Sequence, residues 1–280
     1  TRQKDAVSVH TVHTAVPGTS VHASPPARTL RALACDRLAL TGIIIVGVLL
    51  FAALLAPLIA PQNPYDLAQL DIMNGRLAPG SESMAGTVYL LGTDDQGRDL
   101  FSAILYGLRT SIFVGIISAA IALLIGASIG LVSAYAGGRT DAVLMRIVDI
   151  QLSFPAILIA LIFLAILGQG VDKIIIALVV TQWAYYARTV RGSALVESKR
   201  AYIDAARSMA LPDRRIIFRH ILPNCLPPLI VVATMRVAYA IMLEATLSFL
   251  GIGLPVTEPS LGLLISNGFE YMLSGDYWIS

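Results

Sequence analysis

Residues 201–224 read AYIDAARSMALPDRRIIFRHILPN. Asp204, Arg207, Asp213, Arg214, Arg215, Arg219 and His220 fall inside this stretch, and Pro223 follows them. The surroundings have the opposite character. LALTGIIIVGVLLFAALLAPLIA, Leu38–Ala60, contains no charged residue, and neither does Thr110–Ala136. At about 1.5 Å per residue, some 20 apolar residues in a helix cross the roughly 30 Å hydrocarbon core of a bilayer. The charged stretch therefore reads as a segment that leaves the membrane between two crossings. The fold is expected to be an all-α integral membrane bundle.

Composition agrees. Of the 280 residues, 56% are hydrophobic and only 14% charged, where a soluble domain carries about 25% charged residues. A net charge of +2 gives no reason to expect a nucleic-acid partner. Cys35 and Cys225 sit at the edges of apolar segments. They form no disulfide or zinc framework and read as packing residues. Residues 1–30 read as a disordered cytoplasmic tail. They hold His10, His13 and His22 among Ser, Thr and Pro, a composition that favours disorder over a metal site. No cleavable signal peptide is expected, because the first apolar run starts late and is too long.

Five spans are expected, at about 38–60, 110–136, 142–167, 173–188 and 224–250, within a transmembrane domain covering 31–280. Polar, Pro- and Gly-containing residues 61–108 form one loop. Residues 188–223 carry eight Lys or Arg, whereas 251–280 carry none. Basic residues near span ends mark the cytoplasmic side. The N-terminus and 188–223 are therefore assigned inside, and 61–108 and 251–280 outside. After Pro259 the chain stays amphipathic, with Asn267, Glu270, Ser274 and Asp276, and Tyr271, Tyr277 and Trp278 read as an interfacial anchor. A sixth span is thus expected to be missing from this chain. Trp183, Tyr185 and Tyr186 read as an aromatic belt, and Arg188 as a side chain snorkelling to the interface. Gly126 and Gly130 form a GxxxG pattern that would admit a neighbouring helix closely.

Within the charged stretch, Tyr202, Ala205, Ala206 and Met209 recur at i, i+3, i+4, i+7 and are expected to share one helical face. Arg200, Asp204 and Arg207 lie on another, at ion-pair spacing. Pro212 ends the helix. The small face suits either anionic lipid heads or a groove in another protein. Besides Lys173 and Arg188 at the ends of the fourth, four charges fall in the expected spans. Arg146 and Asp149, one turn apart, read as structural charges that pair with each other or a neighbour. Arg236 and Glu244 admit structural pairing, contact with a solute in a pathway, or a proton relay.

Three segments carry a family resemblance. YIDAARSMALPDRRIIFRHILPN resembles the EAA loop of ABC-importer permeases, with Asp204 for the family's Glu, Ala210 for its Gly, and Leu211 before Pro212. LLGTDDQGRDLFSAILYGLRTSIFVG, residues 90–115, resembles the LGTDxxGRD…YGxRxS stretch of the dipeptide/oligopeptide permease family, second-type subunit, through Gly92, Thr93, Asp94, Gly97, Arg98 and Asp99 among others. Ala103 departs from it where Arg is frequent. RIVDIQLSFPAILIAL, Arg146–Leu161, resembles a third family segment.

The resemblance implies a type I ABC-importer transmembrane fold with a cytoplasmic coupling helix. Residues Tyr202, Asp204, Ala205, Ala206, Met209, Ala210 and Leu211 would then meet an ATPase subunit. It also implies a homologous second permease subunit, two ATPase subunits that bind ATP and Mg, an extracytoplasmic binding protein and a peptide substrate. The membrane would be the inner or plasma membrane of a prokaryote. A nickel, glutathione or other small-solute importer of the same architecture is the alternative within the family. An ion-coupled secondary transporter is the rival outside it. No GxxxxGK[ST] phosphate loop, catalytic carboxylate pair, triad or metal cluster is present in the sequence, so no enzymatic activity and no cofactor is expected for this chain.

Overall fold

The computed structural model describes residues 36–64, 66, 68, 70–83, 86–272 and 274–279. The expected N-terminal tail, residues 1–30, lies outside the described residues. Nine α-helices are described: α1 (Arg37–Ile59), α2 (Leu100–Ala136), α3 (Gly138–Ser153), α4 (Ala156–Leu167), α5 (Val171–Glu197), α6 (Ala201–Ser208), α7 (Asp213–Ile216), α8 (Leu222–Phe249) and α9 (Leu261–Tyr271). A two-residue hairpin, β1 (Ser81–Glu82) with β2 (Val88–Tyr89), is antiparallel and lies in the loop before α2. The chain divides into two units, Thr1–Val48 and Leu49–Ser280, with the boundary inside α1.

Helices α1, α2 and the continuous stretch Asp213–Phe249 are long and apolar enough to cross a membrane. The pair α3 and α4 qualifies only if both are taken together, and they meet at 88°. The expected single span at 142–167 is therefore bent. Phe154, just before Pro155, is held extended at φ −94°, ψ 141°, because the proline ring excludes the α conformation at the preceding residue. The expected fourth span is longer than anticipated: α5 covers 27 residues. It does not pass as an apolar crossing. Its polar Thr181, Gln182 and Tyr186 are buried by the rest of the chain instead.

Small residues set the helix spacing. A Cβ on Gly126 would stand 2.3 Å from the Trp183 carbonyl oxygen and 2.6 Å from the Tyr186 Cβ, and one on Gly130 would stand 2.5 Å from the Ala187 carbonyl oxygen. The GxxxG pair of α2 is the seat on which α5 rests. Gly115 gives the same close approach to Ile241 of α8, at 2.5 Å. Two apolar cores result. One joins Leu131, Tyr186, Val190, Ile203, Ile216, Ile221 and Leu229. The other joins Val114, Leu164, Ile174, Leu178, Leu243 and Leu247. Large apolar side chains such as Phe113, Leu124, Ile166, Ile230 and Met235 stay exposed, as a bilayer-facing surface requires.

A π-helical turn, Ile217–Ile221, joins α7 to α8. Pro223 has no N–H to return to Arg219, and the ladder widens just ahead of it. Such π turns recur at functional joints.

Candidate functional site

A bend after α5 is built from α6, α7 and the π turn. Of the four residues that spacing puts on one small face, Tyr202, Ala205 and Met209 are exposed and Ala206 is not. Ile203 and Ala206 are buried in the chain's own core, whereas Tyr202 is 41% exposed, Met209 68% exposed and Ala205 exposed. The bulky Ile203 side chain takes the interior position and turns the helix so that Tyr202, Ala205 and Met209 face outward. Ala206 thus belongs to this chain's packing, and a charge placed there would break the fold before it reached any partner.

Polar bonds hold the bend. The Tyr202 hydroxyl donates to Glu197 and accepts from Asn224 Nδ2 at 3.0 Å. The Tyr135 hydroxyl at the end of α2 donates to Asp213 of α7. Asp204 and Arg207 pair at 3.6 Å on the exposed face. Burial, then the neighbouring Glu197, raises the Tyr202 pKa. Ala210 stands at φ +52°, the left-handed conformation in which glycine fits without strain. Leu211 is half-buried and packs on the first core.

The motif at residues 92–99 forms a compact cap before α2. Thr93 Oγ1 donates to the Asn74 carbonyl at 2.6 Å and accepts from Leu77 N at 2.8 Å. Asp94 Oδ1 accepts from Gln96 N at 2.9 Å and Arg98 N at 2.8 Å. Asp99 caps α2, accepting from Ser102 N at 2.9 Å. Gly92 and Gly97 have φ +83° and +76°, and a Cβ on Gly97 would lie 2.1 Å from the Asp71 carbonyl oxygen. Arg98, 2% exposed, donates through Nη2 to the Val256 carbonyl at 2.7 Å. That bond fastens the motif to the segment after α8. Arg76 lies over the Tyr271 ring at 4.9 Å and adds a second tie. The expected interfacial anchor instead packs on the cap: Trp278 Cδ1 would lie 3.0 Å from a Cβ on Gly92. Burial, the largest cause, pushes the Asp94 carboxyl above the ordinary carboxylate range.

The charges of the bundle separate into three kinds. Glu244 is fully buried, accepting from Ser111 Oγ of α2 at 2.7 Å and Ser248 Oγ at 2.9 Å, with a further hydrogen bond to Ser260. In this structure Glu244 clasps α2 to α8. Asp149 pairs with Arg188 of α5 and not with Arg146. Arg188 therefore has an anion instead of snorkelling freely. The pair is about half exposed, 56% and 52% for the two side chains. Losing it costs about 0–1 kcal/mol in an exposed setting, not the 3–5 kcal/mol of a buried pair. Arg146 is exposed and has no ion pair among the described residues.

Arg236 is the third kind. It sits at the middle of α8, half-buried, with its guanidinium 3.5 Å from the centroid of Tyr185 and 5.4 Å from that of Tyr239.

Sequence reasoning missed two polar links. Arg191 of α5 grips Asp141 of α3 through Nε at 2.5 Å and Nη2 at 2.6 Å, and Ser133 Oγ donates to the same carboxylate at 2.5 Å. Asp141 and Arg191 are 50 positions apart, and nothing in local spacing joins them. Tyr135 and Asp213 likewise carry no sequence signal. Among the described residues no group of three or more His, Cys, Asp or Glu is placed to hold a metal ion. One groove, about 570 Å³, is lined mainly by Leu50, Leu54, Phe113, Ile116 and Val171, with Arg109 also in its lining. It lies apart from Arg236.

A family model described as binding-protein-dependent transport system inner membrane component matches residues 122–275. This range includes the bend, Arg236 and Glu244. The chain belongs to that family. A second model, the N-terminal TM domain of oligopeptide transport permease C, matches residues 24–79 of this inner-membrane component. A putative peptide transport system permease protein of Brucella abortus is 41% identical over 256 residues, covering 91% of this chain and 83% of the relative. The oligopeptide transport system permease protein OppC of Bacillus subtilis is 36% identical, covering 83% of this chain and 73% of its own length. The dipeptide transport system permease protein DppC of Haemophilus influenzae is 36% identical, with coverages of 88% and 82%. Family membership and the apolar helices make this chain a multi-pass inner-membrane protein.

Proposed function

We propose that this chain is a transmembrane permease subunit of an ATP-driven importer of di- and oligopeptides, working by alternating access. The observation that carries the reading is the 41% identity across 91% of the chain to a relative named as a peptide transport permease. The outward face of α6 supports it. Tyr202, Ala205 and Met209 are left uncovered by this chain at the segment resembling the EAA loop, so α6 is the coupling helix that seats in an ATPase subunit. ATP and Mg²⁺ are bound by two such partner subunits. A homologous second permease subunit completes the pathway, and a binding protein delivers peptide from outside.

Counting the bent pair α3–α4 and the polar helix α5 as crossings gives five. With the distribution of Lys and Arg, the N-terminus and α6 then lie in the cytoplasm and the external cap faces the binding protein. Glu244 is bonded to Ser111 and Ser248 and Asp149 to Arg188, which favours structural roles for both over an ion relay.

The test is uptake of a radiolabelled dipeptide by vesicles holding the complete complex, with the binding protein added outside. Uptake should require ATP and persist when the proton gradient is collapsed. Uptake that survives without ATPase subunits but stops with the gradient would reject the proposal.

A further inference from the structure

Arg236 places a permanent positive charge at the midpoint of α8. Intramembrane cations face a cavity or a partner, and among the described residues Arg236 has no ion pair or hydrogen bond. Its contacts are aromatic. Tyr185 of α5 stacks under the guanidinium at 3.5 Å, and Tyr239, three positions along α8, flanks it at 5.4 Å. Stacking of this kind holds the guanidinium plane while leaving its N–H edge free. A free, oriented Arg edge in a weakly screened setting matches a carboxylate through two parallel hydrogen bonds.

Two buried polar side chains of α5, within one turn of Tyr185, are also unsatisfied. Tyr186, adjacent to Tyr185, is buried with its hydroxyl unpartnered and lies within electrostatic reach of Arg236. Gln182, one turn earlier on α5, is fully buried with both amide atoms unpartnered. Glu244 and Arg98, by contrast, already have partners within the chain.

We infer that Arg236, held between Tyr185 and Tyr239, is a binding site for the C-terminal carboxylate of the peptide in transit. This rests on the peptide-importer reading above. The α-carboxylate is the one anion that every unmodified peptide carries whatever its side chains. A receptor for it serves a permease that passes varied sequences. An acidic residue of the second permease subunit is the competing source of the same chemistry.

The complete complex in vesicles provides the experiment, with a free-acid tripeptide and its C-terminal amide, both chosen to saturate the binding protein. Wild type should carry the acid at least tenfold faster than the amide. Arg236→Gln should slow the acid to the rate of the amide while assembly stays normal, and Arg236→Lys should recover part of the difference. Equal wild-type rates for acid and amide would overturn the inference. So would an Arg236→Gln complex that fails to assemble with the second permease subunit, since the anion would then belong to that subunit. A wild-type complex that takes up no peptide at all would instead reject the functional reading on which the inference stands.

Discussion

The cap before α2 and the bend after α5 handle polar residues in opposite ways. In the cap, Asp94, Arg98 and Asp99 are each at most 2% exposed, and backbone groups of the same chain meet them. In the bend, Asp204, Arg207, Arg214, Arg215 and Arg219 are exposed, and so are the apolar Ala205 and Met209. The cap turns its charges inward against its own chain, although Asp94 Oδ2, Arg98 Nε and Asp99 Oδ1 are buried without a hydrogen-bond partner among the described residues. The bend has an inner face that is finished, through Ile203 and Ala206, and an outer face that is not. Substitutions should therefore unfold the cap but leave the bend's outer face folded and change only what it does.

The largest loss is expected at Gly97. Its left-handed φ and the 2.1 Å approach to the Asp71 carbonyl leave no room for a side chain. Gly97→Ala should cost about 3 kcal/mol or more from strain and overpacking together, read as a fall in melting temperature and folded yield in detergent. A variant as stable as wild type would refute the tight cap. Next is the clasp beside it. Glu244→Ala strands the Ser111 and Ser248 hydroxyls and should cost about 2 kcal/mol, whereas Glu244→Gln keeps an acceptor and should retain most uptake. Abolished uptake in a stable Glu244→Gln protein would restore a proton-relay role.

A gain is expected in the bend. Ala210→Gly relieves the left-handed strain at φ +52° and should stabilise by about 1 kcal/mol, measured by thermal unfolding of the purified chain. A destabilised variant would mean that the turn is not under strain.

The smallest effect concerns pH. Burial raises the Asp94 carboxyl pKa in the fold, so the folded state holds that proton more tightly than the unfolded chain does. The stabilisation is fully present below the unfolded value of about 4 and is lost as pH rises through the folded value. Asn keeps an oxygen to accept from Gln96 and Arg98 N and does not titrate. Asp94→Asn should therefore gain in melting temperature relative to wild type between about pH 4 and pH 7. A pH-independent difference would contradict the buried, proton-retaining carboxyl.

How much of this was legible in the sequence follows from distance along the chain. Uninterrupted apolar runs marked α1, α2 and α8, and the GxxxG pattern marked the seat for α5. The glycines of the motif before α2 marked tight turns, and Ala210 in place of glycine marked a constrained one. Contacts between distant residues were hidden. Asp149 meets Arg188 across 39 positions and Arg98 meets Val256 across 158, and no local spacing encodes either. The bend at Pro155 was hidden because apolar character continues through it, although the proline itself was the available signal. In α6 the periodic pattern was real, but two overlapping apolar faces competed. Burial of the branched Ile203 decided between them.

The central claim is that the uncovered face of α6 is where ATP hydrolysis is coupled to transport. Its most direct test is the ratio of peptide transported to ATP hydrolysed in vesicles carrying Ala205→Glu. Ala205 is exposed in the folded chain, so melting of the isolated subunit should change by no more than about 0.5 kcal/mol, while the transport ratio falls at least tenfold. An unchanged ratio in a normally assembled complex would contradict the claim.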